Sequence, residues 1–423
     1  MSNLQRLEPN QVRRATTATL DAETLARCTE IVDAVRRDGD RALFELSERF
    51  GDAPPEGRWR YDAKDLAPVL ESLSDDERAV LERTHERIVR FARAQLETLM
   101  PLEAAIAGGR AGHDLVPIAS AGCYAPGGRY PLPSSVLMTA ATARAAGVER
   151  VVVVSPKPTA CTLAAAALAG ADELWAVGGA QAIAALAYGT ESLEPVDFIC
   201  GPGNRWVTAA KKLVYGDVGI DGLAGPSELL VLADETADPA TVAADLIAQA
   251  EHDADARPIL VTTSARLADE VDGELELQLE ALSDATARQA IDQGFAVVAR
   301  DLDEALRVSQ SVAPEHLEVL MSEPQTIGRR LRHAGALFLG SVAAEVLGDY
   351  GAGPNHVLPT GGGSRFRGGL SVLDFVRVRT WLELDPSDER FPDLVDDAAR
   401  LARIEGLEGH ARSAERRTTS LMM

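Results

Sequence analysis

The residues of this chain best suited to chemistry include its histidines, of which there are only seven, at positions 85, 113, 252, 316, 333, 356 and 410. A neutral imidazole binds metal ions, and the group gains or loses a proton near neutral pH. His252, His316, His356 and His410 stand close to carboxylate or amide residues in the sequence. The other three lie in charged helical stretches or a polar loop, and we expect them to be solvated surface residues.

Two segments carry residue types that suit a metal ion. Gln249 and His252 lie three residues apart near the end of a predicted helix, so both side chains can reach one ion or one polar ligand. Glutamine is an unusual ligand, and on local grounds a solvated histidine at a helix end is the favoured explanation of this pair. The glycine-rich segment 348–356 presents Asp349 and His356, a carboxylate and an imidazole that suit Zn²⁺. Here we favour a functional site.

Two further pairs combine a glutamate with a histidine. Glu315 and His316 are adjacent at the start of an apolar run, and such a pair suits proton transfer because each group can be tuned toward neutral pH. An ordinary turn explains the same residues equally well. Glu405 and His410 follow a predicted helix and, taken alone, are typical of a C-terminal helix junction.

Glycine clusters adjoin three apolar runs, at Gly127-Gly128, Gly178-Gly179 and Gly201-Pro-Gly-Asn204. Glycines before a helix can accept a phosphate group at the helix N-terminus. They also make plain strand-to-helix turns. Since no GxGxxG segment follows any predicted strand, spacing alone does not identify a dinucleotide site.

The elements that position these residues follow from the apolar pattern. Residues 1 to about 110 are predicted to be largely helical, and from about 116 onward short apolar runs alternate with helical segments. The alternation indicates βαβ units with mainly parallel sheets, in two blocks at 124–226 and 227–345. The predicted strands are 150–155, 173–177, 198–200, 228–233, 259–262, 296–299, 317–320, 336–339 and, in the tail, 375–384. The clearest predicted helices are 75–99, 162–169, 180–188, 206–215, 239–250 and 393–404.

Composition narrows the class of protein. The chain has 423 residues and a net charge of −23, so it would be repelled by nucleic acids and anionic lipid surfaces. No apolar run is long enough to span a membrane, and the N-terminus lacks the apolar centre of a signal peptide. The four isolated cysteines, at 28, 123, 161 and 200, form no CxxC pair and fit a reducing compartment. We expect a cytoplasmic protein.

Ordered motifs along nearly the whole chain closely resemble the histidinol dehydrogenase family. The motifs are Tyr124-Ala-Pro-Gly-Gly, Pro133-Ser-Ser-Val-Leu-Met138, Val177-Gly-Gly-Ala-Gln181-Ala-Ile183, Gly201-Pro-Gly-Asn204, Ile220-Asp-Gly-Leu-Ala-Gly-Pro-Ser227-Glu228, Gln249-Ala-Glu-His252-Asp, Ala313-Pro-Glu-His316, Gly348-Asp-Tyr, Asn355-His-Val-Leu-Pro-Thr360 and Glu405-Gly-Leu-x-x-His410. No single motif is specific, but ten in one order are.

The resemblance implies an α/β fold with two incomplete Rossmann-like domains, which accounts for the missing GxGxxG, and smaller terminal pieces in an intertwined homodimer. Residues 124–226 would bind NAD⁺. Residues 1–123 with 227–370 would form the metal and substrate domain. The tail, 371–423, would contribute to the site of the partner subunit.

The resemblance also implies the site residues. One zinc ion per subunit would be held by Gln249, His252, Asp349 and, from the partner subunit, His410. The substrate contacts would include these four residues and His316, with Ser227, His356 and Glu405. NAD⁺ would be bound by Tyr124, Gln181 and Asn204. Glu315 and His316 would be the acid–base pair.

This chemistry converts L-histidinol through L-histidinaldehyde to L-histidine by two NAD⁺-linked oxidations, the last steps of histidine biosynthesis. His316 would take the hydroxyl proton, Glu315 would activate water, and zinc would orient the substrate. The alternatives are a related dehydrogenase of another small alcohol such as a sulfonated propanediol, a metallohydrolase, and a non-catalytic binding protein. A cysteine nucleophile is a rival route for the aldehyde step, but no cysteine belongs to the Glu-His pair.

Overall fold

The computed structural model describes residues 3–14, 20–54, 57–127, 131–282 and 285–419, so Gly128 of the first glycine cluster lies outside the described residues. The chain divides into two compact units, one of Met1–Ala94 with Ile118–Phe375 and one of Gln95–Pro117 with Val376–Met423. Among the described residues, no helix combines the length and apolarity that a bilayer crossing requires.

The strands of the described chain are, in order, β1 (Gln5–Leu7), β2 (Arg60–Asp62), β3 (Leu102–Ile106), β4 (Gly109–Pro117), β5 (Ser120–Tyr124), β6 (Arg150–Val154), β7 (Glu173–Trp175), β8 (Phe198–Cys200), β9 (Gly219–Ile220), β10 (Glu228–Ala233), β11 (Arg257–Thr262), β12 (Phe295–Val298), β13 (His316–Leu320), β14 (Ala336–Leu339) and β15 (Val376–Leu384).

The α-helices of the described chain are, in order, α1 (Ala22–Arg49), α2 (Ala63–Ser72), α3 (Asp75–Glu97), α4 (Pro133–Val136), α5 (Thr142–Ala145), α6 (Ala160–Leu168), α7 (Gly179–Tyr188), α8 (Arg205–Val214), α9 (Pro239–Ala250), α10 (Ala265–Leu282), α11 (Ala285–Gln293), α12 (Leu302–Val312), α13 (Pro324–Gly328), α14 (Glu345–Asp349), α15 (Phe391–Ile404) and α16 (Glu408–Thr419). A π-helical turn, Leu137–Ala141, joins α4 to α5.

The first sheet lies in the larger unit and has the order β2-β7-β6-β5-β8-β9. All neighbouring pairs are parallel except β2 with β7 at the edge. After contributing the edge strand β2, the chain enters the middle of the sheet at β5, adds β6 and β7 on one side, and then adds β8 and β9 on the other. This reversal creates a topological switch point between β5 and β8, the position at which open α/β sheets bind ligands at their carboxyl ends.

The second sheet of the same unit is parallel throughout, in the order β1-β12-β11-β10-β13-β14. Its central strand β10, Glu-Leu-Leu-Val-Leu-Ala, is buried at every position. Separate apolar clusters cover its two faces, one built with α9, α10 and α11 and the other with α12. Burial on both faces explains why this strand is a continuous apolar run with no alternation.

The smaller unit contains an antiparallel sheet in the order β15-β4-β3, followed by α15 and α16. The predicted tail strand and tail helix are present. Strand β3 lies in the region predicted to be largely helical, and that prediction is wrong there. The strands of the β3–β4 hairpin carry alanine and glycine and few β-branched residues, so local propensity gave little signal, and Ala107-Gly108 is the hairpin turn.

The predicted strands of both blocks are present, with ends shifted by two residues or fewer. The N-terminal region differs. Strand β1 joins the second sheet, whereas β2 and β5 join the first, and α1 packs on α7 and α8. The sequence predicts that residues 1–123 belong with the second sheet, but only some of them do. Strands of three residues carry no readable periodicity, and an amphipathic helix does not reveal which sheet it covers. The domain boundaries themselves stay a prediction.

Candidate metal and acid–base site

The candidate site lies at the amino edge of the second sheet. Glu228 and His316 are the first residues of the neighbouring parallel strands β10 and β13, with His316 in register beside Leu229. Helix α9 ends at Ala250, so Gln249 and His252 come to the end of this helix. The short helix α14 packs against α9 and carries Asp349 as its last residue. This is the edge opposite to the one that open α/β sheets ordinarily use.

Asp349 lies between two of the predicted site histidines. One carboxylate oxygen, Oδ2, is 3.5 Å from Nε2 of His252, and the other, Oδ1, is 3.5 Å from Nε2 of His316. Burial alone would raise the pKa of Asp349, but the two imidazoles outweigh it and hold that pKa well below its usual range. The structure therefore brings together three residues that lie almost a hundred positions apart in the sequence, and Asp349 is an anion.

A second carboxylate, Glu345, completes the cluster. Its Oε1 is 4.0 Å from Nε2 of His252 and 3.7 Å from Nδ1 of His316, and its side chain is 2% exposed. Burial raises the pKa of Glu345 to about 7. Sequence reasoning missed this residue. The available signal was its position four residues before Asp349, a spacing that puts both side chains on one face of a helix.

The donor atoms of this cluster fit a zinc ion. Ligand atoms of His252, Glu345 and Asp349 all lie within 4.8 Å of one another. Gln249 is fully buried, and neither its amide oxygen nor its amide nitrogen has a hydrogen-bond partner in the described structure. Buried polar atoms are normally paired, so the unpaired amide of Gln249 at the end of α9 fits a residue that binds a ligand. Imidazole nitrogen and carboxylate or amide oxygen suit Zn²⁺.

The backbone of Glu228 holds the Glu-His pair. Its N–H donates to Oε2 of Glu315 over 2.9 Å, and its carbonyl oxygen lies 3.2 Å from Nδ1 of His316. Because a carbonyl only accepts, Nδ1 must carry a proton, and in the neutral ring Nε2 is then the free base. The side chain of Glu228 is fixed by Arg257 (Oε1–Nη1, 3.0 Å) and by the N–H of Gly361. Sequence reasoning gave Glu228 no role.

The charges around the pair set its protonation. Burial raises the pKa of Glu315 to about 7. Burial lowers the pKa of His316, but the carboxylates of Glu345, Glu315 and Asp349 outweigh it and raise that pKa to about 10. A histidine that takes a proton must first be neutral, and the protein groups alone do not keep His316 neutral near pH 7. A divalent cation bound by the same carboxylates would offset their charge, which is a second reason that the cluster fits a metal.

His356 and Ser227 lie beside this cluster. Nδ1 of His356 is 2.9 Å from the backbone oxygen of Asp349, so it donates there, and Nε2 accepts from Oγ of Ser135 over 3.4 Å. Burial lowers the pKa of His356, which keeps the ring neutral. Both ring nitrogens of this predicted substrate contact thus already have protein partners. Ser227 is half-buried and immediately precedes Glu228 at the sheet edge.

Glu405 and His410 belong to the smaller unit. Glu405 follows the last residue of α15, His410 lies in α16, and both are exposed.

The predicted NAD⁺ residues lie at the carboxyl edge of the first sheet. Tyr124 ends β5, and its hydroxyl accepts a hydrogen bond from the N–H of Gly179 over 3.1 Å. Asn204 is exposed and caps the N-terminus of α8 through its side-chain oxygen. Gln181 is only 1% exposed and donates over long distances, 3.5 Å to Ser47 and 3.4 Å to Asp52. Tyr124 and Asn204 thus flank the switch point, whereas Gln181 lies beneath the surface.

The cysteines stand apart from this chemistry. Cys123 and Cys200 are buried on the paired strands β5 and β8, with their sulfur atoms 3.8 Å apart. Burial raises the pKa of Cys200 well above its usual value and also raises that of Cys161. A thiol held protonated is a poor nucleophile, so a cysteine route finds no support in the structure.

Comparison with known proteins gives a consistent result. A sequence profile of histidinol dehydrogenase matches residues 13–418. The histidinol dehydrogenase of Thermus thermophilus is 47% identical over 393 residues, covering 92% of this chain and 93% of the relative. That of Aquifex aeolicus is 44% identical over 396 residues, covering 93% and 92%. The crystal structure of histidinol dehydrogenase from Elizabethkingia anophelis superposes with a TM-score of 0.91 at 30% identity and covers 100% of both chains. The chain therefore belongs to the histidinol dehydrogenase family.

Proposed function

We propose that this chain oxidises L-histidinol through L-histidinaldehyde to L-histidine in two NAD⁺-linked steps. The observation that carries the proposal is the Glu315–His316 pair, held by one backbone peptide beside the cluster of His252, Glu345 and Asp349. Proton-transfer groups next to a cluster that would hold a metal ion suit the oxidation of an alcohol, because the metal would orient the substrate for proton removal.

His316 is the general base in this proposal. Its Nδ1 proton is engaged by the carbonyl of Glu228, so Nε2 takes the hydroxyl proton of the alcohol. NAD⁺, when bound, accepts the hydride from the carbon that carries this hydroxyl group. After hydration of the aldehyde, Nε2 of His316 acts again on a hydroxyl of the hydrate. The same atom thus serves both oxidations.

Glu315 activates the water that hydrates the aldehyde. Its carboxyl group is buried, which raises its pKa to about 7, so it can accept a proton near neutral pH and release it again. The N–H of Glu228 holds one of its oxygens, Oε2, and in this proposal the carboxylate takes a proton from the attacking water. Glutamate in this position explains how an aldehyde is oxidised without a cysteine.

The remaining roles follow the family resemblance. Gln249, His252 and Asp349, with His410 of the partner subunit, would hold one zinc ion per subunit, and zinc supplies a template that orients the substrate. Ser227, His356 and Glu405 would contact the substrate. Tyr124, Gln181 and Asn204 would bind NAD⁺ on the 124–226 domain. The protein would then be a homodimer in which each active site contains residues of both subunits.

The direct test is NADH formation from L-histidinol by the purified protein, before and after treatment with a chelator. We expect two NADH per L-histidinol, L-histidine as product, loss of activity on chelation, and recovery with Zn²⁺. One NADH per substrate would contradict the role of Glu315 in the second oxidation. Activity that a chelator leaves unchanged would contradict the metal assignment, and no NADH would overturn the function.

A further inference from the structure

A buried ion pair in the first sheet has no role in the chemistry described above. Lys211 lies on α8, and Asp221 follows β9. Nζ of Lys211 is 2.6 Å from Oδ1 of Asp221, and the two side chains are 5% and 4% exposed. Burying two charges has a high desolvation cost, and apolar residues of similar size usually stabilise a fold as well or better. The pair therefore calls for an explanation other than stability.

The pair contacts both backbone groups of a single residue, Gly201. Oδ2 of Asp221 accepts from the N–H of Gly201 over 2.7 Å, and Nζ of Lys211 donates to its carbonyl oxygen over 2.5 Å. Gly201 has a φ of 115°, and a Cβ atom there would come within 2.0 Å of the carbonyl oxygen of Tyr124. Gly201 thus packs closely against the end of β5, and two charge-assisted hydrogen bonds hold it in this position.

Gly201 opens the segment Gly201-Pro-Gly-Asn204 at the switch point between β5 and β8. Two of the proposed NAD⁺ contacts adjoin this segment: Tyr124 lies beside Gly201 at its start, and Asn204 is its last residue. A second bond, from Oγ1 of Thr208 to the carbonyl oxygen of Ala224 over 2.8 Å, ties α8 to the chain that follows β9. The ion pair therefore lies directly behind the surface that would face the dinucleotide.

We propose that Lys211 and Asp221 are positioning residues that hold the Gly201–Asn204 segment in the shape that binds NAD⁺. The inference rests on the proposed function, since it assumes that NAD⁺ occupies this edge. The pair acts through Gly201 and touches neither substrate nor metal. Its loss should therefore weaken NAD⁺ binding and leave the chemical step and the L-histidinol site unchanged.

The test is the double variant Lys211→Met/Asp221→Asn in the full chain. It removes both charges, keeps an acceptor for the N–H of Gly201, and leaves its carbonyl without a charged donor. We expect the KM for NAD⁺, and the Kd for NAD⁺ by calorimetry without substrate, to rise about tenfold, the equivalent of one buried hydrogen bond. The kcat at saturating NAD⁺, the KM for L-histidinol and the zinc content should stay at wild-type values.

A second ion pair in the same sheet, between the half-buried Arg150 and the buried Glu173, provides the control. Arg150 and Glu173 begin β6 and β7, at the opposite edge, with Nη2 and Oε1 3.0 Å apart. The variant Arg150→Met/Glu173→Gln removes this pair without touching the Gly201–Asn204 segment. We expect its Kd for NAD⁺ to equal that of the wild type, even if its thermal stability falls.

The outcomes are distinct. An unchanged NAD⁺ Kd in the Lys211/Asp221 variant, or an equal rise in both double variants, overturns the inference. If the double variant does not fold, Asp221→Asn alone is judged by the same criterion. Wild-type protein that neither binds NAD⁺ nor forms NADH overturns the proposed function instead, so the two failures are separable.

Discussion

At the scale of single residues, the peptide of Glu228 organises the acid–base pair. It binds Glu315 through its N–H and His316 through its carbonyl, and thereby keeps the proton of the neutral ring on Nδ1 and leaves Nε2, beside Asp349, as the base. The same backbone contact sets the tautomer and the orientation of the ring. The nitrogen that acts as the base is therefore determined by a backbone hydrogen bond, which a sequence motif of side chains does not show.

His316→Ala should lower kcat for L-histidinol oxidation about 10²- to 10⁴-fold, because the variant has no base for the hydroxyl proton. The KM for NAD⁺ and the zinc content should change little, since neither proposed contact involves this ring. Steady-state kinetics and metal analysis measure the three quantities. His333→Ala, outside the site, is the control and should match the wild type. A His316→Ala variant with near-normal kcat would exclude this residue as the base.

Glu345→Gln should weaken zinc binding about 10- to 100-fold. Its carboxylate lies beside His252 and His316, and one of its oxygens has no hydrogen-bond partner in the described structure. Competition with a chromophoric chelator measures the zinc affinity directly. The exposed neighbour of His252, Glu251, supplies the control variant Glu251→Gln, which should bind zinc like the wild type. Equal affinities in all three proteins would remove Glu345 from the metal cluster.

Residue types alone favoured a functional site at Asp349 and His356, whereas the other site residues could be predicted only from the family motifs. Spacing alone favoured a solvated helix end for Gln249 and His252, and it left Glu315 and His316 indistinguishable from a turn. Glu345 was missed because α14 has only five residues, too few to show a helical period. Glu228 contacts the acid–base pair through its backbone. No residue type in the sequence indicates a backbone contact with a residue 88 positions away.

At the scale of elements, β13, α9 and α14 pack together, and buried carboxyl groups lie between them. Glu318 on β13 is fully buried, and its Oε1 accepts from the N–H of Glu345 at the start of α14 over 2.7 Å. Burial and the nearby carboxylate of Asp245 on α9 raise the pKa of Glu318 to about 9. A protonated carboxyl group thus joins the elements that carry the metal cluster.

This arrangement predicts a pH-dependent stability. In the folded protein Glu318 keeps its proton up to a pH of about 9, whereas in the unfolded chain it loses it near 4.5. Its contribution is therefore fully present below pH ~4.5 and is lost as the pH rises toward about 9. Glu318→Gln, which cannot ionise and keeps an acceptor for Glu345, should show a smaller fall in Tm between about pH 6 and 9.

Thermal unfolding across this pH range measures the effect. The exposed residue Glu323 gives the control variant Glu323→Gln, whose Tm should follow the wild-type curve. If the Glu318→Gln curve runs parallel to the wild type, the carboxyl group is not protonated in the folded protein.

The elements differ in how much the sequence reveals of them. Strands buried on both faces, such as β10, are continuous apolar runs and were predicted within a residue or two. The hairpin of β3 and β4 was not predicted, because its alanine and glycine residues have little strand propensity. The three-residue edge strands β1 and β2 were not predicted, because their pairing depends on partners distant in the chain. The sheet order, and with it the placement of one site at a carboxyl edge and the other at an amino edge, follows from long-range packing.

At the scale of the whole molecule, the question is how His410 takes part in the metal site. The family resemblance assigns it to the partner subunit, so each site would need residues from two chains. Homodimers with twofold symmetry contain two such sites, each built from reciprocal contributions. A site shared in this way makes a prediction about mixtures of inactive chains that a site within one chain does not make.

His252→Ala and His410→Ala should each be nearly inactive alone, because each removes a zinc ligand. In a mixed dimer, one site receives both substitutions and the other receives none. With random pairing, half of the dimers are mixed and each has one intact site, so co-expression should restore roughly a quarter of wild-type activity. If all ligands came from one chain, every site would carry one substitution and no activity would return. NADH formation by co-expressed, co-purified chains distinguishes the two arrangements, with co-expressed His252→Ala and Asp349→Asn as the control. Those two positions would lie on the same chain in every site, so that mixture should stay inactive.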